Sequence, residues 1–129
     1  MQSYISDCLI EAKTLSDMCK KQVFSSIENQ ISFMIDTVNK VENLKIKAKD
    51  LMPNVKDLVE KQTQLKQEIS QLALNLNKLN KFSSIEEKAK FCYNAINKNM
   101  LEVREIFDSI EPELSDEFKP FPNYDDLLF

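Results

Sequence analysis

The chain has 129 residues, 43% apolar and 29% charged, with no Gly, no His, four Pro, three Cys and a formal net charge of −4. That length allows one domain, and the composition excludes hairpin-rich β architectures, which draw on Gly for their turns, and disordered chains, which hold too few apolar residues. Without Gly there is no phosphate-cradling loop, and without His the commonest general base and metal ligand are both missing, so no catalytic residue, metal site or cofactor is expected and the chain reads as a non-enzyme.

The charge is uneven. Nine acids between Glu102 and Asp126 stand against Arg104 and Lys119, which makes the last 28 residues −7 and leaves about +3 on the first 101. An acidic C-terminal part disfavours direct nucleic-acid binding, which needs dense Lys and Arg facing the phosphates. Lys45, Lys47 and Lys49 are interleaved with Glu42 and Asp50 and read as a solvated helix face, the alternative being a lipid or nucleic-acid patch. Cys8, Cys19 and Cys92 are odd in number and lack C-x-x-C spacing, so they predict buried thiols in a reducing compartment and not a disulfide framework. Met1 to Ile10 carries Asp7 and no basic run, unlike a signal peptide, and no window reaches the roughly 20 apolar residues of a membrane span. A soluble, cytoplasmic protein with no transmembrane segment is expected.

In chain order, Ile5, Cys8, Ala12, Leu15 and Cys19 recur in steps of three and four and predict an amphipathic helix over about 3–22. Ser25 and Glu28 have the spacing of a capping box, so either a new helix starts there or, with no Gly or Pro nearby, the first continues. A second segment, about 23–51, carries Phe24, Ile27, Ile31, Met34, Val38 and Val41, then Leu44, Ala48 and Leu51. The repeated three from 38 to 41 and 41 to 44 looks like a stammer in a coil. Val23, Phe33 and Ile35 widen this apolar face enough to pack against more than one neighbour, as in a bundle.

Pro53 lies on the outward side of the repeat. It either kinks a continuing rod or stands in the first turn of a fresh helix that folds back; the unbroken heptad phase across it favours the kink. The predicted third helix, about 53–80, holds the clearest pattern in the chain: Leu51, Val55, Leu58, Gln62, Leu65, Ile69, Leu72, Leu76 and Leu79 alternate in fours and threes. A repeat of 3.5 residues held this long predicts a seam against another helix, with the amide of Gln62 setting register.

Ser83 and Ser84 before Glu86 and Glu87 predict a capped helix over about 84–110, where Ala89, Cys92, Ile96, Asn99, Val103, Ile106 and Ile110 repeat the pattern and Asn99 takes the part of Gln62. Pro112 ends it. Residues 113–129 form an acidic tail that interleaves Leu114, Phe118, Phe121, Tyr124, Leu127, Leu128 and Phe129 with acids and prolines. That tail either docks on a partner's groove or folds back on the chain's own helices.

The expected fold is therefore all-α: an elongated helical bundle or coiled coil of three to four helices over residues 1–112, followed by the irregular tail. A greasy edge this long predicts partner helices from other coiled-coil proteins, in a hetero-oligomer or a homo-oligomer. The residues expected to meet them are Val55, Leu58, Gln62, Leu65, Ile69, Leu72, Leu76, Leu79, Cys92, Ile96, Asn99, Val103 and Ile106, with Phe118, Phe121, Tyr124, Leu127, Leu128 and Phe129 in the tail.

The run Glu60-Lys61-Gln62-Thr63-Gln64-Leu65-Lys66-Gln67-Glu68-Ile69-Ser70-Gln71-Leu72-Ala73, continuing through Leu76 and Leu79, resembles the coiled-coil core of snapin. Ala89-Lys90-Phe91-Cys92-Tyr93, through Ile96 and Glu102, resembles the following helix of pallidin. The resemblance covers residues 54–110. It implies a structural subunit of the hetero-oligomeric complex that makes lysosome-related organelles, scaffolding or tethering in vesicle trafficking. Small subunits of spindle and kinetochore complexes share the length, helix content and apolar tail, and a self-contained bundle that binds one partner peptide fits the same pattern.

Overall fold

A computed structural model describes residues 2–120. They are all helical in architecture, with three long rods and no strand among the described residues. The first rod joins α1 (Gln2–Met18) to α2 (Phe24–Asn43) through a single π-helical turn, Cys19–Val23. The second is α3 (Met52–Leu79). The third joins α4 (Ile85–Phe91) to α5 (Asn97–Ile110) through another π-helical turn, Cys92–Ile96.

The first rod is thus one piece about 60 Å long at 1.5 Å per residue, and the capping-box spacing at Ser25 starts nothing. Its apolar spacing explains the π turn. From Leu15 through Cys19 and Val23 to Ile27 the stripe takes three successive steps of four, faster than an α-helix of 3.6 residues per turn can follow. One widened turn absorbs the extra residue and keeps Ile5, Cys8 and Ala12 on the same face as Val23 and Ile27.

The predicted helix over 23–51 stops at Asn43, and the chain reverses. Leu44 and Lys45 bond back to Val41 and Glu42 (3.1 and 2.9 Å), and Lys45 adopts a left-handed φ of 63°. This is the usual way to end a helix, here without the Gly that would do it at no steric cost. The repeated step of three around Val41 therefore marks a terminus, not a stammer. Pro53 then occupies the first turn of α3, where its missing N–H is harmless, so it opens a returning helix in place of the favoured kink.

The rods run up, down and up. Val38 packs near Val55, and Ala12 near Leu72, so the second rod is antiparallel to the first. Lys61 reaches Ser109 and Glu113 while Asn75 reaches Asn99, so the third is antiparallel to the second. At one end of the bundle Ile5, Cys8, Ala12, Leu72, Leu79, Cys92, Ile96 and Met100 share a core. In the middle Cys19, Val23, Ile27, Leu58, Leu65, Ile69, Val103 and Ile110 share another. Beyond the end of the third rod, only the first two remain side by side around Val38, Ala48 and Val55.

Ser84 caps α4, its Oγ accepting from the Glu87 N–H at 3.1 Å, as the serine and glutamate pairs predict. After Ile110 two short 3-10 turns, Glu111–Glu113 and Asp116–Phe118, carry the chain along α2. Leu114 is buried there, the Ser115 N–H donates to Gln30 Oε1 at 2.8 Å, and the rings of Phe118 and Phe33 lie 5.7 Å apart. This stretch folds back on the chain's own first rod, one of the two arrangements the sequence allowed.

Candidate functional site

The predicted seam lies inside the bundle. Leu58, Leu65 and Leu72 are 0% exposed and Ile69 is 3% exposed. Leu58, Leu65 and Ile69 meet Cys19, Val23, Ile27, Val103 and Ile110, whereas Leu72 and Leu79 meet Ile5, Cys8, Ala12, Cys92 and Ile96. Val55 is buried with Val38 and Ala48. Leu76 and Ile106 are half-buried beside these clusters, as is Phe118 against Phe33. The expected stripe therefore comes together as one continuous face, and this chain's own first and third rods cover it. Phe121, Tyr124, Leu127, Leu128 and Phe129 lie outside the described residues.

The two polar positions singled out in the stripe behave differently. Gln62 is half-buried at the border of the first rod, its Nε2 donating to Glu28 Oε1 at 3.5 Å, while Lys66 stands 3.5 Å from the same oxygen. It sits on a rim and not in a dry seam. Asn99 is buried and central: its Oδ1 accepts from Asn75 Nδ2 at 3.1 Å, and its Nδ2 donates to the Glu68 carbonyl at 3.1 Å and to Glu68 Oε2 at 2.8 Å. Asn75 in turn accepts from Gln71 at 3.0 Å. Among the described residues no buried side-chain polar atom lacks a partner, so this network meets the condition for burying amides without a desolvation penalty.

Asn75 and Gln30 are buried polar residues that pattern reading passed over. The signal was present, since Asn75 lies three residues after Leu72 and four before Leu79, and Gln30 three after Ile27. Reading Leu76 as the seam position hid Asn75. The structure buries Asn75 because Asn99 supplies its partner across the interface.

Electrostatics disfavour the thiolate form of Cys8 and Cys19. Burial, then a hydrogen bond with Cys92, pushes the Cys8 thiol up to about 12, and burial pushes Cys19 to about 11. Both stay protonated at neutral pH and pack as small apolar groups. Glu68 is raised by burial and by the neighbouring Glu102 carboxyl, with the Asn99 hydrogen bond opposing. Lys61 binds Glu113 at 2.6 Å and Asp57 at 3.1 Å, which raises its own pKa and lowers that of Asp57. Among the described residues no group of three or more His, Cys, Asp or Glu could hold a metal ion. No helix among them is long and apolar enough to cross a membrane.

With the seam internal, the apolar surface left open lies elsewhere. Between α2 and α3 runs an open groove of about 330 Å3, with Ile31, Ile35 and Val59 along it and Glu28, Asp36 and Gln62 at its edges. Ile31 and Ile35 are one helical turn apart, so their side chains stack along the groove's axis. Compared with family models, curated proteins and solved structures, the chain matches none of them.

Proposed function

We propose that this chain is a non-enzymatic helical module of a scaffolding or tethering assembly, and that it takes one amphipathic helix of a partner protein into the groove between α2 and α3. The observation that carries this reading is the division of its apolar surface. The long leucine stripe of α3 is consumed by the chain's own rods, whereas exposed Ile35 and Val59, with half-buried Ile31 beneath them, line an open groove between α2 and α3. A fourth helix laid there would complete a four-helix arrangement and bury all three side chains. Asp36 on the edge suits a partner helix with Lys or Arg beside its apolar stripe, Glu28 being already paired with Lys66.

The foreign helix is thus placed on an outer groove and not on the seam from Leu58 to Leu79. The likeness of residues 54–110 to snapin and pallidin supports the hetero-oligomeric, vesicle-trafficking setting. The absence of His and the protonated thiols support a binding role over a catalytic one.

Copurification followed by mass spectrometry tests the proposal with two variants. Ile35→Asp/Val59→Asp places carboxylates in the groove, and Leu74→Asp places one on an exposed part of α3 away from it. Both alter exposed positions and should leave helix content unchanged. The expected result is a partner retained by the parent and by Leu74→Asp but lost from the double variant. An identical partner set from all three chains would refute the groove.

A further inference from the structure

The hairpin end, where α2 gives way to α3, inverts the usual order of burial. Ala48, the smallest apolar residue of the connecting loop, is tucked under Val38 and Val55, while Leu44 and Ile46 point outward at 72% and 56% exposure. Met52, at the start of α3, is exposed as well. The left-handed turn at Lys45 ends α2, and Leu44 and Ile46 on either side of it are left exposed. Large apolar side chains that a loop could have folded inward but instead presents are a mark of an interaction surface.

The charge around them is predominantly positive. Residues 40–56 carry exposed Lys40, Lys45, Lys47, Lys49 and Lys56 against Glu42 and Asp50, a net +3 in a chain of net −4. Lys47, Lys49 and Lys56, with the single acid Glu42, also edge an open groove of about 580 Å3 whose apolar side is Ala48, Met52 and Pro53. The lysines thus do not lie along a helix face, as their alternation with acids suggests; they ring the end of a rod that is apolar at its apex.

We infer that this tip docks end-on to an anionic lipid bilayer. Leu44 and Ile46 enter the boundary between headgroups and acyl chains. The lysines neutralise the phosphates around them. Two apolar residues alone bind a bilayer weakly, and a few lysines alone bind only its surface charge; the two together on one end are what an anionic interface recognises. The net positive charge around two strongly exposed apolar side chains favours an anionic bilayer as the occupant. The rod would then stand away from the membrane by up to its own length of about 60 Å. This does not depend on whether the α2–α3 groove takes a helix, and its test needs no protein partner.

The full chain is sedimented with large vesicles of phosphatidylcholine, either pure or containing about one-third phosphatidylserine, in buffer of about 0.1 M salt. The expected result is binding to the anionic vesicles only, weakened by about tenfold or more in Lys47→Glu/Lys49→Glu and again in Leu44→Ser/Ile46→Ser. All these positions are exposed, so thermal melting should match the parent, and amine acylation of Lys47 and Lys49 should fall when anionic vesicles are added. Equal sedimentation with both vesicle types, no sedimentation with either, or parent-like binding by either variant would overturn the inference. So would lysines already protected before vesicles are added, the sign that an acidic protein segment, this chain's own included, occupies the tip.

Discussion

Asn99 shows how a single buried amide can specify the packing of two rods. Its carbonyl and amide groups are both used across the interface, one by Asn75 and the other by Glu68, so sliding α5 along α3 by one turn would leave at least three polar groups unpaired. The same site carries a cost that depends on pH. Glu68 is raised first by burial and then by Glu102, so the folded chain holds this proton more tightly than the unfolded chain. The stability this gives is complete below the ordinary value of 4.5 and is lost as pH climbs through the raised folded-state value. Asp57, held low by its hydrogen bond from Lys61, works in the opposite sense and loses its contribution as pH falls below 3.8. Comparing Glu68→Gln with the parent cancels the Asp57 part. In urea melts across acidic to neutral pH, the parent should lose stability relative to Glu68→Gln as pH rises past the Glu68 titration. A constant difference between the two chains would show that Glu68 is not perturbed as described.

At the scale of elements, the π turn of Cys19–Val23 makes a length prediction that a regular helix does not. Removing the exposed Lys21 turns the steps of four after Cys19 into an ordinary alternation of threes and fours, so the rod can become a plain α-helix with both of its core faces kept. Removing the equally exposed Lys66 from α3 has no such outlet. It rotates Ile69, Leu72 and Leu79 by about 100° relative to Leu58 and Leu65 and drives them out of the core. Circular dichroism melts should show a cooperative transition for the first deletion within several degrees of the parent, and none for the second. Two cooperative melts, or two failures, would contradict the π turn as an inserted residue. The elements were largely legible from spacing alone: the stripes of α1, α3 and α5 are the buried faces, and Ser84 is the cap. The ends were not. A run of fours is also what a coil phase slip produces, and a run of threes at Val41 also fits a tightened coil, so only the left-handed Lys45, at a residue type that rarely takes that geometry, separates a terminus from a stammer.

For the whole molecule, a repeat of 3.5 residues states that a helix faces this seam but not which chain supplies it. Pro53 is the residue on which that difference turned, because a kink would have left α3 bare and a reversal lets the first rod cover it. The third rod then closes the remaining side, and the seam is filled from within. A substitution at its centre distinguishes the two cases without any knowledge of partners. In Ile69→Asp a carboxylate replaces a side chain that is 3% exposed and surrounded by Cys19, Val23, Ile27 and Val103. If foreign helices covered this position, the isolated chain would carry Ile69 on its surface and would tolerate the change. Enclosed by its own rods, it should lose about 3 kcal/mol or more, a large share of what a domain this size has. The parent, purified alone, should melt in one cooperative step whose midpoint does not move with protein concentration, and Ile69→Asp should abolish that step. An unchanged melt in the variant, or a midpoint in the parent that climbs with concentration, would return the seam to a second chain.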